Sequence, residues 1–385
     1  MNDGTRNLYI YGAQSIAHGM ACALRARGCA VAGYVVTERG AAPAVLDGLP
    51  VHEIGELRDD DAASTFLLAV PPYLHDEIRG ILAAHGYHHA TGLDPATEYR
   101  EMSAYLRGKG FPSLDLPVGR KTSGGGKTSV SREAHAQDAA DTAAAPLPDA
   151  AARDLAASGV SIYVACSAAD PPLAHARPDS PIYHTVQAGA ALSPAIGAEL
   201  RDDTGETISR ENPHCDELTV TYWAWKNRHD AVKGIAHYRR YLAARPAECA
   251  ALLDGTADAL LPLPFCCWPD TATQYSRYNA PEAVAAMHAA IAAVHPGETE
   301  TARAILAGPY LYNYNMLIAR AAVFDDYCAW LFPILAHVRA HAPALFPPDT
   351  HTRVCGHLGE LLYSIYMISR RDRLRLLHVP KVWLT

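Results

Sequence analysis

The residues able to do chemistry gather in a few short runs. His237-Tyr238-Arg239-Arg240 follows directly on the apolar run 232–236, so an imidazole and two guanidinium groups stand where a buried strand would end. Guanidinium offers permanently charged, bidentate donors that suit phosphate; a pair of surface arginines is the plainer reading. Asp202 and Asp203 lie on a turn with Gly205. Such a carboxylate pair can hold Mg²⁺, Mn²⁺ or sugar hydroxyls, although Asp and Gly also favour turns for their own sake. Asn313 and Asn315 stand at the entry to another strand, with amides able to bind hydroxyls or to cap. Arg353 opens a run that reaches Glu360 in the first turn of the last helix. A carboxylate there is either a general base for an acceptor hydroxyl or a charge favoured by the helix dipole.

Elements of two kinds must position these groups. Apolar spacing predicts strands at 8–11, 31–36 and 65–70, a minor strand at 51–54, and helices at 16–27 and 74–85. Strands alternating with helices imply a parallel sheet, so residues 1–116 read as a Rossmann-like domain. A dinucleotide fold would place G-x-G-x-x-G in its first turn. Here Gly12 is followed by Gln14 and Ala17 at the second and third glycine positions, and Glu38 falls one place beyond the second strand. The degenerate turn favours an accessory or docking module over a dehydrogenase. Residues 117–158 are rich in Gly and Ala and read as a flexible linker. Their 124–128 stretch looks superficially like a P-loop, but Lys121 stands where the motif needs its first glycine.

Residues 159–385 read as a second α/β domain. Strands are expected at 162–165, 232–236, 259–262 and 315–319, with helices at 217–226, 281–294 and 359–369. A further helix at 323–340 is expected to be interrupted near Pro333.

Composition narrows the function classes. A chain of 385 residues suggests two or three domains, and 49% hydrophobic content excludes global disorder. A formal charge of −8 and a pI near 6.2 argue against a nucleic-acid partner. No membrane span is expected, because no run approaches the ~18–20 apolar residues a span requires. The amino terminus lacks a basic segment, a long apolar core and a cleavage site, so no signal peptide is indicated. Nine cysteines, an odd number without framework spacing, suit a reducing compartment and a cytoplasmic location. None forms C-x-x-C, which argues against a structural zinc site.

The segment from about 160 to 385 resembles the bacterial family of domain of unknown function 4422. The likeness lies in Ile162-Tyr163-Val164-Ala165-Cys166, Ile182-Tyr183-His184-Thr185-Val186-Gln187-Ala188-Gly189-Ala190 and Asp202-Asp203-Thr204-Gly205-Glu206. It continues through Glu217-Leu218-Thr219, Tyr222-Trp223-Ala224-Trp225-Lys226-Asn227, His237-Tyr238-Arg239-Arg240-Tyr241-Leu242, Asn313-Tyr314-Asn315-Met316 and residues 356–362. That family occurs among capsule and exopolysaccharide gene products and is regarded as glycosyltransferase-like. The resemblance implies a GT-A-like α/β domain, a nucleotide-sugar donor, a capsular, exopolysaccharide or glycolipid acceptor, and polysaccharide-assembly partners. In the GT-A plan a strand ends in D-x-D, whose carboxylates hold a metal on the donor diphosphate. Here that strand ends in His237-Tyr238-Arg239.

The resemblance therefore implies that Arg239 or Arg240 replaces the metal, so none is required. Mn²⁺ or Mg²⁺ remains possible, with Asp202 and Asp203 as fallback ligands. By the same likeness, Asn313, Asn315, His237 and Arg353 join the donor site, and Glu360 is the base. Two alternatives stay open: a non-catalytic carbohydrate-binding or scaffold protein, and a transferase of another phosphorylated group.

Overall fold

The structure is a computed structural model. It describes residues 7–57, 64–113 and 149–384, apart from positions 174, 176, 179 and 349. Most of the expected linker, including its P-loop-like stretch, lies outside the described residues.

The first unit is built on strands β1 (Leu8–Tyr11), β2 (Gly33–Val36), β3 (Val45–Leu46), β4 (Leu49–Glu53), β5 (Thr65–Leu68) and β6 (Ala90–Gly92). Their order is β3-β4-β2-β1-β5-β6, parallel throughout except for the β3–β4 hairpin. The order reverses direction beside β1, as in doubly wound folds. The run 8–11 forms β1 as expected, because its residues bury on both faces. Helix Pro95–Arg107 went unread in the sequence. Pro95 sits in its first turn, and the Asp94 side chain accepts a hydrogen bond from the Thr97 N–H, so its start is well specified.

The second unit holds β7 (Val160–Cys166), β8 (Tyr183–Gln187), β9 (Leu200–Arg201), β10 (Val232–His237), β11 (Arg240–Leu242), β12 (Ala259–Leu261), β13 (Phe265–Cys266), β14 (Tyr310–Leu311), β15 (Leu317–Arg320), β16 (Leu376–His378) and β17 (Lys381–Trp383). The main sheet runs β16-β12-β15-β10-β7-β8-β9, and β11 bridges β10 to β17. Strands β7 to β10 are mutually parallel, so their carboxyl ends share one edge. Strand β15 runs antiparallel to β10, which brings its start to that same edge.

Several elements differ from expectation. The last part of the supposed linker is helix Asp149–Ala157, whose Ala152 and Leu155 bury one turn apart beside the main sheet. Helix Ala321–His341 runs unbroken through Pro333. One missing N–H is outweighed there by a buried face that includes Phe324, Leu331, Ile334 and Leu335. This helix of 21 residues is long and apolar enough to cross a membrane by length and composition, yet half of its most apolar window is buried inside the protein. It is anchored by Lys233 of β10, whose buried Nζ donates to Asp325 Oδ1 at 2.6 Å and to the Arg228 carbonyl at 3.1 Å. The last helix begins at Val354 rather than Gly359, which moves Glu360 out of the first turn. The dipole explanation for that carboxylate therefore falls.

The two units share one apolar cluster, which joins Met20, Tyr99 and Phe111 to Cys266, Tyr312 and Leu376. Tyr99 donates to the His378 carbonyl at 2.8 Å, and Tyr312 Oη lies 2.7 Å from His378 Nε2. Gln274 Nε2 reaches Ser15 Oγ at 3.2 Å. The second unit thus sits against the amino end of helix Ser15–Ala26, where a dinucleotide fold would bind pyrophosphate.

Candidate functional site

Four segments meet beyond the carboxyl end of β10. They are the β10–β11 hairpin, the loop entering β15, residues 216–217 before helix Leu218–Asn227, and the first half of helix Val354–Ser369. The polar run after β10 is a tight hairpin in which His237 pairs with Arg240, so Tyr238 and Arg239 form its tip. Among the described residues, five non-glycine residues have positive φ, and four of them are here: Asp216 (47°), Tyr314 (76°), Asn315 (48°) and Arg353 (56°). A bulky residue such as Tyr314 adopts that geometry only when its surroundings hold it there.

Those surroundings are a hydrogen-bond lattice around Asn315. Its Nδ2 donates to Glu217 Oε1 at 2.7 Å and to the Gly356 carbonyl at 3.0 Å, while its buried Oδ1 has no partner. The approach depends on two glycines of the last helix. A Cβ at Gly359 would meet Leu218 Cδ1 at 2.8 Å and Asn315 Oδ1 at 3.0 Å, and one at Gly356 would meet Asp216 Oδ2 at 2.8 Å. His237 Nε2–H donates to the Tyr314 carbonyl at 2.5 Å, since a carbonyl can only accept. Burial, reinforced by the Arg240 charge, pushes His237 down to about 3, so the imidazole stays neutral. It stands 3.8 Å from Glu217, whose carboxyl burial pushes upward.

Glu360 accepts from the Tyr314 N–H at 2.8 Å. Burial pushes its carboxyl up to about 8; the Tyr314 bond opposes the rise and the Glu217 charge adds to it. A half-buried carboxyl poised near neutrality is suited to taking a proton. Arg240 stacks over the rings of Tyr314 at 4.6 Å and Trp383 at 4.8 Å. Arg239 lies over Tyr238 at 5.2 Å. Neither guanidinium makes an ion pair among the described residues, and the Nε of each is buried without a partner. Neither cation is thus matched by a contacting carboxylate, although Glu217 and Glu360 act on Arg240 from nearby. Arg353 is committed to Asp216, with Nε to Oδ2 at 2.6 Å. Asn313 turns its Oδ1 back to accept from the Tyr314 N–H at 2.7 Å.

Asp202 and Asp203 stand apart from this group, at the end of β9, three strands from β10. Asp202 is fully buried and accepts from the Gly189 and Ala190 N–H groups, each at 2.9 Å, and from Ser209 Oγ at 2.5 Å. Asp203 is paired with Arg201 at 2.7 Å, which holds its carboxyl below the usual range. The expected fallback ligands are thus occupied in bracing a loop, because a buried carboxylate without these donors would be costly. The metal that the GT-A plan implies does not fit this strand end. His237 and arginines replace the carboxylates, and no convergent trio of metal-ligating side chains occurs there among the described residues.

Sequence reasoning missed Asp216, Glu217, Lys381 and Trp383. Glu217 looked like an ordinary helix-start residue, and Trp383 lies in a tail without periodicity. Lys381 Nζ sits 4.3 Å over the Phe265 ring and 3.8 Å from Glu98 of the first unit. Burial pushes its amine downward. Trp383, Lys381, Glu98, Tyr99 and Pro95 line a small cleft between the units, next to Arg240.

Residues 172–371 match a family model described as domain of unknown function (DUF4422). The structure is similar to that of the WbbM bifunctional glycosyltransferase in its apo form, at 25% sequence identity and a TM-score of 0.51. The match covers 59% of this chain and 45% of that one, so the chain spans less than half the length of the solved relative. No curated protein sequence matches. The likeness supports an α/β fold of the glycosyltransferase type.

Proposed function

The chain belongs to the DUF4422 family, and from that membership we propose that it is a cytoplasmic glycosyltransferase. It moves a sugar from a nucleotide-sugar donor to a hydroxyl of a surface-polysaccharide or glycolipid acceptor. The observation that carries this reading is the pairing of opposites at one strand end: Arg240, stacked on Tyr314 and Trp383 without an ion-pair partner, and Glu360 with its raised carboxyl. A leaving diphosphate develops negative charge, which pre-positioned guanidinium groups stabilise without reorganisation. Arg240 is already desolvated and aligned, so little ordering is lost on binding.

In the proposed reaction the acceptor oxygen bonds to the anomeric carbon as the bond from that carbon to the diphosphate oxygen breaks. The acceptor's proton passes to ionised Glu360, and the diphosphate leaves against Arg239 and Arg240. Neutral His237 and Asn315 keep the Tyr314 backbone turned so that its N–H stays on Glu360. They are positioning residues. Trp383 offers an acceptor sugar an aromatic wall beside Arg240. Donor binding needs no metal in this scheme, because the cationic role falls to the arginines.

Isothermal titration of the full chain with UDP-, GDP-, CDP- and TDP-sugars tests the reading, run in chelator and again with Mn²⁺. The expected result is one responding nucleotide with comparable affinity in both buffers, and a glycosylated product by mass spectrometry. Silence across the whole panel overturns it. Glycan binding without turnover, indifferent to Glu360→Gln, would instead identify a carbohydrate-binding scaffold.

A further inference from the structure

The fifth positive-φ residue, Asp47, marks a second place where side chains converge. It lies with Gly48 in the β3–β4 turn, where both residues have positive φ, 49° and 77°, as a tight hairpin demands. Facing it are His18 and Cys22, one helical turn apart on helix Ser15–Ala26 and therefore on the same face. His18 Nε2 lies 3.4 Å from Cys22 Sγ and 3.8 Å from Asp47 Oδ2, and the three ligand atoms all fall within 4.8 Å of one another.

Three further features point to a ligand between them. His18 Nδ1 is 3.2 Å from the Cys266 carbonyl, which requires the proton on Nδ1 and leaves the Nε2 lone pair aimed at Cys22 and Asp47. A second ring nitrogen held by a carbonyl is how metal-ligating histidines are oriented. Arg25 Nη1 grips the Asp47 carbonyl at 3.1 Å and Oδ2 at 2.8 Å, fixing the carboxylate in place. Tyr34 of β2 is wholly buried, its hydroxyl has no hydrogen-bond partner, and Cys22, Asp47 and Cys266 all act on it electrostatically. A buried phenol is rarely left without a partner, and a metal-bound water would supply one.

We propose that His18 Nε2, Cys22 Sγ and an Asp47 carboxylate oxygen form a zinc site, with a water in the fourth position hydrogen-bonded to Tyr34. Zn–N bonds of about 2.0 Å and Zn–S bonds of about 2.3 Å give tetrahedral edges of about 3.5 Å, close to the spacing present. One thiolate, one imidazole and one carboxylate favour zinc over Mg²⁺ or Ca²⁺, which require oxygen ligands. As the metal binds, the Cys22 thiol loses its proton to solvent. The site ties the first helix to the β3–β4 hairpin and, through the Cys266 carbonyl, to the second unit. It lies outside the matched family segment and is independent of the transferase reading.

The test is titration of the chelator-stripped full chain with Co²⁺. One equivalent is expected to give a near-ultraviolet sulfur-to-cobalt band together with tetrahedral visible bands, all displaced by Zn²⁺. The band is lost in Cys22→Ser, weakened in Asp47→Asn and intact in Cys29→Ser. Zinc raises the thermal midpoint of the wild-type chain and leaves that of Cys22→Ser unmoved. The proposal is overturned if folded wild type gives no cobalt band, or if the band survives in Cys22→Ser. Loss in Cys29→Ser instead overturns it as well. Should Cys22→Ser fail to fold, Asp47→Asn decides: an unchanged cobalt affinity overturns the site.

Discussion

Replacing Glu360 by glutamine should make the protein less sensitive to alkaline pH. The amide has the shape of the carboxyl and can still accept from the Tyr314 N–H, but it cannot ionise. In the wild type, burial holds the folded carboxyl up to about 8, against an ordinary value of 4.5. Between those values the folded chain keeps a proton that the unfolded chain has released. Stability is therefore fully present below about 4.5 and declines as pH rises towards 8, where the folded carboxyl ionises too. At about 1.4 kcal/mol per pH unit the upper bound is roughly 5 kcal/mol. Glu360 is only half-buried, and screening by water at its open side reduces the expected loss to about 2 kcal/mol. Urea midpoints for both proteins at pH 5, 6, 7, 8 and 9 measure it. The wild type should fall progressively below Glu360→Gln, with the gap levelling off above pH 8. Two parallel profiles would refute the reasoning, because they would mean that the carboxyl titrates alike in folded and unfolded chains. In turnover assays the wild type should gain activity as Glu360 ionises, and Glu360→Gln should lack that rising limb.

Arg240→Ala removes a charge-assisted contact worth about 1.5–3 kcal/mol, so nucleoside-diphosphate affinity should fall roughly 10- to 150-fold by titration calorimetry. Unchanged affinity would remove Arg240 from the donor site. Asp202→Asn should cost about 2–4 kcal/mol in chemical denaturation, because an amide N–H₂ replaces an acceptor among buried donors. The folded fraction should bind donor normally, which separates bracing from ligand contact. Gly359→Ala gains about 1 kcal/mol of helix propensity and loses about 1–3 kcal/mol to overpacking against Leu218 and Asn315. Its net cost in stability should be small and its loss of turnover large, since Asn315 holds the loop that aligns Glu360. Because His237 stays neutral down to about 3, the turnover profile should show no inflection near pH 6.5.

Local pattern went far in this sequence. Buried runs such as 8–11, 65–70 and 232–236 announced their strands, because an apolar segment bounded by turn residues has few other stable forms. The departure of the first turn from G-x-G-x-x-G, with Gln14 and Ala17 in place of glycines, was legible without a structure. The polar residues that follow β10 stood out in the sequence, as did Asn313, Asn315 and Glu360, and the fold brings them together at one strand end. What sequence could not convey was which polar groups are already spent. Asp202-Asp203 and Arg239-Arg240 look equally available on paper. Only the folded chain closes two backbone N–H groups and a serine hydroxyl on Asp202 while leaving Arg240 stacked on two rings with no ion pair among the described residues.

Glu217 and Trp383 were silent because Asn315 and Arg240, which they meet, lie about a hundred residues or more away in sequence, and propensity reads only neighbours. His18, Cys22 and Asp47 lie closer in sequence, yet a helix face and a hairpin turn form one site only once the tertiary fold brings them together. Identity and spacing decide which local structures a segment can form. Availability of charge, proton affinity and convergence depend on burial and on remote partners, and those exist only in the tertiary structure.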